Sequence, residues 1–250
     1  MTVPDNCSIR LVVVDNNSNV DDKVELRKIN SESFHLELIE LEQNIGYFPA
    51  LNVGIDFCRT GIDEQIIIGN NDLKYRYDFI LKLESLNVDN NVLVISPDVV
   101  TTDGVHQNPL STRKLSRLEL LKEDVYYSNY YLSRFLILTK GIFLKLYSKE
   151  NLDTKLKNHC DIQMVINRGI GACYCLTNTF FKHYSKLDDR VFLWGEEALL
   201  SNQVEQVNGC ILYAPSLVVE HAESGTVKKM LTRDRYERVK QSYKIYREYL

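Results

Sequence analysis

An α/β fold with a mixed, mostly parallel sheet flanked by helices follows from three features of this 250-residue sequence. Short apolar runs, Leu11–Val14, Ile66–Ile68 and Val92–Ile95, are rich in β-branched residues and unbroken by polar ones, the pattern of strands buried on both faces. Each run ends in a polar cluster, and helical and strand signals then alternate at the spacing of crossover connections. The composition, 44% hydrophobic and 26% charged, fits one well-cored domain. We expect that domain over residues 1–226, followed by a basic amphipathic helix over 227–250.

The elements are read in order. LVVVDN (Leu11–Asn16) opens as a strand, and a polar segment follows around Val20–Asn30. His35–Leu41 reads as a strand, Gln43–Tyr47 as a turn, and Pro49–Arg59 as a helix, because proline suits a first helical turn, where its missing N–H costs little. Gln65–Gly69 is a buried strand, Asp78–Leu86 a helix and Asn91–Ser96 another strand. Thr101–Arg117 is polar, carries Gly104 and Pro109, and shows no period, so it reads as a long surface loop. Phe135–Leu146 and Ala172–Leu176 are apolar. Glu196–Val207 is helical with Gly209 as its stop, and Cys210–Ala214 and Leu217–Val219 read as strands. In the last segment Tyr236, Val239, Tyr243, Tyr246 and Leu250 recur at three and four residues, with eight basic and three acidic side chains between Val227 and Leu250. Such a stripe packs on its own domain or on a second subunit, or it lies on a membrane surface.

Charge and cysteine usage exclude several classes. A formal net charge of −4 gives no general attraction for nucleic acid, whose phosphates are held by Lys and Arg. The six cysteines, Cys7, Cys58, Cys160, Cys173, Cys175 and Cys210, form no CxxC pair, and four lie in apolar stretches, so they read as thiols of a reducing compartment. No apolar run reaches the roughly 20 residues of a membrane span, and MTVPDNCSIR lacks the pattern of a secretion signal. The expected location is the cytoplasm, with peripheral contact to the inner face of the membrane if the C-terminal helix binds there.

In open α/β sheets, ligands bind beyond the carboxyl ends of the strands. Three polar tips occupy such places: Asp15-Asn16-Asn17-Ser18, Asn70-Asn71-Asp72 and Glu220-His221. Each alone is also an ordinary turn sequence. A GxGxxG after the first strand is absent, which argues against a dinucleotide fold.

Taken in order, VVVDNNS, NIGYFPALNVGID, IIIGNND, GACYCLTNTFF, VFLWGEEALL and VVEHAESGT resemble the successive motifs of family-2 glycosyltransferases, in particular rhamnosyltransferase-like members acting on O-antigen or capsule. The resemblance runs from Arg10 to about Thr226. It implies a GT-A, Rossmann-like nucleotide-diphospho-sugar transferase fold, and an inverting transfer of a sugar from a UDP- or dTDP-sugar to a glycan or lipid-linked acceptor. Asp15 then accepts a hydrogen bond from the nucleobase imide. Asn17, Asn44, Gly46, Asn52 and Asn71 line the nucleotide. Asp72, in the slot of a DxD-like motif where Asn70 replaces an Asp, holds Mg²⁺ or Mn²⁺ with His221. Glu197, with Glu196 beside it, serves as the base that takes the acceptor proton. Trp194 and Gly171 face the acceptor. A glutamate in a helix's first turn is equally favoured by the helix dipole with no chemistry involved. Leu199 departs from the acidic residue that many members carry.

Family members also place a strand and helix before the VVVDNNS strand, a unit of roughly 30 residues. About ten residues precede Leu11 here, so a central sheet edge is expected to lack its neighbour. Two other readings stay open. One is a degenerate relative that binds nucleotide or glycan without turnover, and the other is a sugar-nucleotide pyrophosphorylase, which favours a Gly-rich phosphate loop that this chain lacks.

Overall fold

The computed structural model describes residues 2–4, 7–29, 35–59, 65–146, 161–222 and 232–250. The strands are β1 (Arg10–Asp15), β2 (His35–Glu40), β3 (Ile66–Gly69), β4 (Leu73–Tyr75), β5 (Val92–Thr101), β6 (Met164–Ile166), β7 (Cys173–Leu176) and β8 (Cys210–His221). The helices are α1 (Val20–Leu26), α2 (Tyr47–Cys58), α3 (Phe79–Ser85), α4 (Arg117–Ser128), α5 (Tyr130–Leu146), α6 (Asn178–His183), α7 (Glu196–Gln206) and α8 (Arg233–Tyr246), with a final 3₁₀ turn, Arg247–Tyr249.

The main sheet runs β3-β7-β5-β8-β4, with β6 also paired to β8. Parallel pairing joins β5 to β8 and β1 to β2, whereas the β3·β7, β5·β7, β4·β8 and β6·β8 pairs are antiparallel. Parallel pairing is thus limited to strands joined by long connections. The three residues between β3 and β4 have no room for a crossover helix. Among the described residues, β1 pairs only with β2 and β3 only with β7. Helix α2 packs against both β1 and β3 and so links the two sheets without ladder hydrogen bonds.

Apolar periodicity accounts for the layers. Phe48 and Ile55 of α2 bury against Ile66, Ile68, Tyr174, Leu176 and Phe180 on one face of the sheet. Phe79, Ile80 and Leu83 of α3 bury against Val99, Cys173, Leu212 and Val219 on the other. Phe48, Phe79 and Phe180 are fully enclosed, and truncating one to alanine would cost roughly 3–5 kcal/mol. Cys173 and Cys175 sit in this core as buried small side chains.

Several boundaries move. β5 extends to Thr101, well beyond Ser96, because its parallel ladder with β8 continues to the Thr101–His221 pair. The two strands expected over Cys210–Val219 are one strand that runs to His221. The polar Val20–Asn30 segment holds α1, capped by the Asn19 side chain on the Asp22 N–H. Helix α4 went unread, although Ser116 and Glu119 form a reciprocal capping box at its start. The terminal stripe packs on its own domain: Tyr243, Tyr246 and Leu250 bury with Val191, Ala198 and Leu199, and Tyr127 of α4 stacks on Tyr243 at 4.3 Å. The expected start of that helix at Val227, Cys160, and the end of the last motif, Glu223–Thr226, lie outside the described residues.

Candidate functional site

Asp72 and His221 meet because β4 pairs with the end of β8, placing Leu73 opposite His221. His221 Nε2 lies 3.3 Å from Asp72 Oδ1 and 3.5 Å from Asn70 Nδ2. Its other ring nitrogen, Nδ1, lies 2.9 Å from Gln107 Oε1, on the long loop after β5. With the proton on Nδ1 donated to Gln107, Nε2 keeps its lone pair on the Asp72 side, the arrangement of a histidine ligand oriented by an outer partner. Among the described residues no three His, Cys, Asp or Glu side chains converge as a metal cage. An oxygen and an imidazole nitrogen at this spacing fit a divalent ion whose remaining ligands are phosphates and water. Asn71 is exposed at the same tip.

The Glu196–Glu197 pair is delivered by an unusual turn. Trp194 and Gly195 both have positive φ, 69° and 97°. For a bulky aromatic this is a strained conformation, and such strain concentrates at functional sites. Gly195 is obligatory on two counts: its φ, and the Tyr246 ring that fills the space a Cβ would need. Glu196 is 4% exposed, and Oε1 is buried without a hydrogen-bond partner. Burial, then repulsion from Glu197, pushes its carboxyl up to about 7. Burial also raises Glu197, opposed by backbone N–H groups, including that of Gly171, and by Arg168. Gly171 N–H donates to Glu197 Oε1 at 3.2 Å, and a Cβ on Gly171 would stand 2.9 Å from that oxygen. Gly171 therefore clasps the carboxylate. Trp194 carries the Arg235 guanidinium over its ring at 5.3 Å.

Tyr47, which the sequence reading passed over, feels the charge of both acidic groups. Its hydroxyl donates to Gly171 O at 2.8 Å. Burial raises the phenol well above its usual range, followed by the Cys173 thiol and then by Glu196, Glu197 and Asp72. One phenol thus feels all three carboxylates. The available signal was an aromatic directly after the Asn44–Gly46 turn. Arg168 was also missed. It is half-buried, Nε has no hydrogen-bond partner, burial lowers its guanidinium, and Glu197 is the charge that opposes this most.

At the first strand tip, Asp15 is 3% exposed. Oδ1 accepts from Ser18 N–H at 3.0 Å, whereas Oδ2 is buried without a hydrogen bond, 3.8 Å from Lys23 Nζ. A buried acceptor with a vacant lone pair is what an imide N–H requires. Asn17 adopts φ 65° and accepts from Lys23 Nζ at 3.1 Å. Its neighbour Asn16 ties this tip to the next one: Nδ2 reaches Gly46 O at 2.9 Å and Asn44 Oδ1 at 3.2 Å, and Oδ1 accepts from Ile45 N–H. Gly46, φ 103°, lets the turn touch the segment leading to Trp194; a Cβ there would lie 2.5 Å from Phe192 O. Asn52 is held inside the domain instead of lining an open surface. Its amide bonds Leu187 O at 3.0 Å and Asp189 Oδ2 at 3.2 Å and accepts from Leu187 N–H at 2.9 Å.

No protein-family model matches the chain. A dTDP-rhamnosyl transferase, RfbF of Shigella flexneri, is 34% identical over 113 residues, 45% of this chain and 36% of that protein. The chain thus matches little more than a third of that relative's length. The solved structure of GalNAc-T7 with UDP, GalNAc and Mn²⁺ superposes over 93% of this chain and 41% of its own, with a TM-score of 0.54 and 15% identity. S. aureus TarS 1–349 superposes over 85% of this chain and 51% of its own, with a TM-score of 0.48 and 10% identity. With its mixed sheet, flanking helices and acidic strand tips, the chain has the GT-A-like fold of glycosyltransferases.

Proposed function

We propose that this chain is an inverting glycosyltransferase that moves a sugar from a UDP- or dTDP-sugar to a hydroxyl of a glycan or lipid-linked glycan in surface polysaccharide synthesis. The observation that carries the reading is the link from Tyr47 to Glu197 through Gly171, whose O accepts from Tyr47 at 2.8 Å and whose N–H donates to Glu197 at 3.2 Å, together with His221 3.3 Å from Asp72. Similarity to a dTDP-rhamnosyl transferase supports the donor class, and the Mn²⁺ in the GalNAc-T7 structure supports a divalent ion.

In this reading Asp15 Oδ2 accepts the base imide proton, and the Asn17, Asn44 and Gly46 backbone turns border the nucleotide. Asp72 and His221 are the residues that hold Mg²⁺ or Mn²⁺, with Asn71 beside them. When bound, the ion offsets the charge that gathers on the leaving diphosphate. Glu197 takes the proton from the attacking hydroxyl. Glu196, half-protonated near neutral pH, keeps a second negative charge off the pair, so the two titrate as one unit. Trp194 offers its ring face to the acceptor, and Gly171 holds Glu197 in place. Residues 1–226 are the transferase domain in this reading, and α8 (Arg233–Tyr246) packs behind Trp194. The protein works in the cytoplasm.

The test is steady release of UDP or dTDP from a panel of their sugars, with lipid-linked and free glycan acceptors. Turnover lowered by roughly 10²–10⁴ in Glu197→Gln supports the reading. Tight nucleotide binding with no release from any donor would favour the binding-only relative.

A further inference from the structure

We infer that the α4–α5 helix pair is a docking face for an anionic lipid bilayer. Leu118, Leu121 and Val125 form a stripe at i, i+3 and i+7 on α4, and Tyr131, Phe135 and Leu138 form one at i, i+4 and i+7 on α5. All six are exposed, Leu118 by 72%, Tyr131 by 69% and Phe135 by 61%. Soluble surfaces scatter such side chains singly, so a concentration within 21 residues marks a surface made for an apolar partner. Neither helix is long and apolar enough to cross a bilayer, which leaves lying on it.

Charge selects the occupant. Arg117, Lys122 and Arg134 stand on the same two helices with no carboxylate within ion-pair distance among the described residues. Of the three acids on α4, Glu119 and Asp124 are engaged by Arg113 at 2.8 Å and by Arg247 at 2.5 Å, and Glu123 beside Lys122 has a partner interaction of its own. A second copy of the same face would set these three cations against one another, whereas anionic headgroups match them, at a surface that also accepts apolar side chains. The chain is acidic overall, so this is a local feature. The terminal helix α8, the more basic segment by sequence, has buried its apolar stripe in the domain and offers no such face. Leu120 and Tyr127, on the opposite face of α4, pack with Ala198 and Leu199 of α7, the helix that carries Glu197.

The test is sedimentation of the full chain with vesicles of pure phosphatidylcholine and with an equimolar mixture of phosphatidylcholine and phosphatidylglycerol. The chain is expected to pellet with the anionic vesicles only. Phe135→Ser with Leu138→Ser is expected to lower that partitioning by about tenfold or more, and Lys122→Glu with Arg134→Glu to abolish it. Unfolding midpoints should be unchanged, since these side chains are exposed. Absence from both pellets, or binding indifferent to the four substitutions, overturns the inference. So does a concentration-dependent dimer, in lipid-free sedimentation velocity, that the apolar variant dissociates. Vesicle binding does not depend on the donor site, so failure here leaves the transferase reading untouched.

Discussion

Glu196 and Glu197 are adjacent in sequence, but their surroundings give them different tasks. Glu197 has Gly171 N–H on one oxygen and Arg168 as a counter-charge, so it stays competent to accept a proton. Glu197→Gln should lower kcat by roughly 10²–10⁴ while the donor KM stays within about twofold. Glu196 lies deeper, pushed up to about 7 from an ordinary 4.5. A carboxyl raised on folding holds its proton more tightly in the native state, so the stability linked to it is complete below pH 4.5 and is lost as pH rises through 7. Denaturant titrations across that window should show a fall of about 3 kcal/mol, and Glu196→Gln should flatten it. An unchanged slope in the variant would remove Glu196 as the source. Gly195→Ala combines a positive φ with a collision against Tyr246, and should cost about 2–4 kcal/mol in the same measurement.

At the scale of elements, turns and long-range pairings place the site, and the two differ in how well they can be read. The strand tips were legible because apolar runs end where the sheet ends: Asp15 closes β1 and His221 closes β8. That Asp72 faces His221 depends on β4 turning back along β8, a pairing 148 residues apart that no local pattern encodes. Tyr47 and Arg168 were invisible for a related reason. A tyrosine on an amphipathic helix and an arginine in a loop become notable only when folding surrounds them with carboxylates. Asn52 had the right spacing for a nucleotide contact, but its amide stitches α2 to the Leu187–Asp189 loop. Asn52→Ala would leave the Leu187 backbone groups unpaired and should cost about 2–3 kcal/mol by chemical unfolding. A loss below a few tenths would mean the loop is held by other contacts.

For the whole molecule, the mixed sheet brings the β3–β4 turn and the β8 end together, and α2 ties the separate β1–β2 pair to it, with Gly46 and Phe192 in contact across the gap. Helix α8 then packs against α7 and α4 and fixes the Trp194–Gly195 turn from behind, through Tyr246 and the bond from Ser242 Oγ to Leu193 O at 2.8 Å. The aromatic stripe, read in sequence as packing on its own domain, on a second subunit or on a membrane, is therefore part of the frame of the site. The central claim is that these tips form one metal-assisted site for a nucleoside diphosphate. Calorimetric titration of UDP and dTDP into the purified chain, with and without Mn²⁺ and repeated on Asp72→Ala, tests it most directly. Mn²⁺-dependent binding that disappears in Asp72→Ala is the predicted result. A folded sample that binds neither nucleotide, or binds equally well without the ion and without Asp72, would contradict it.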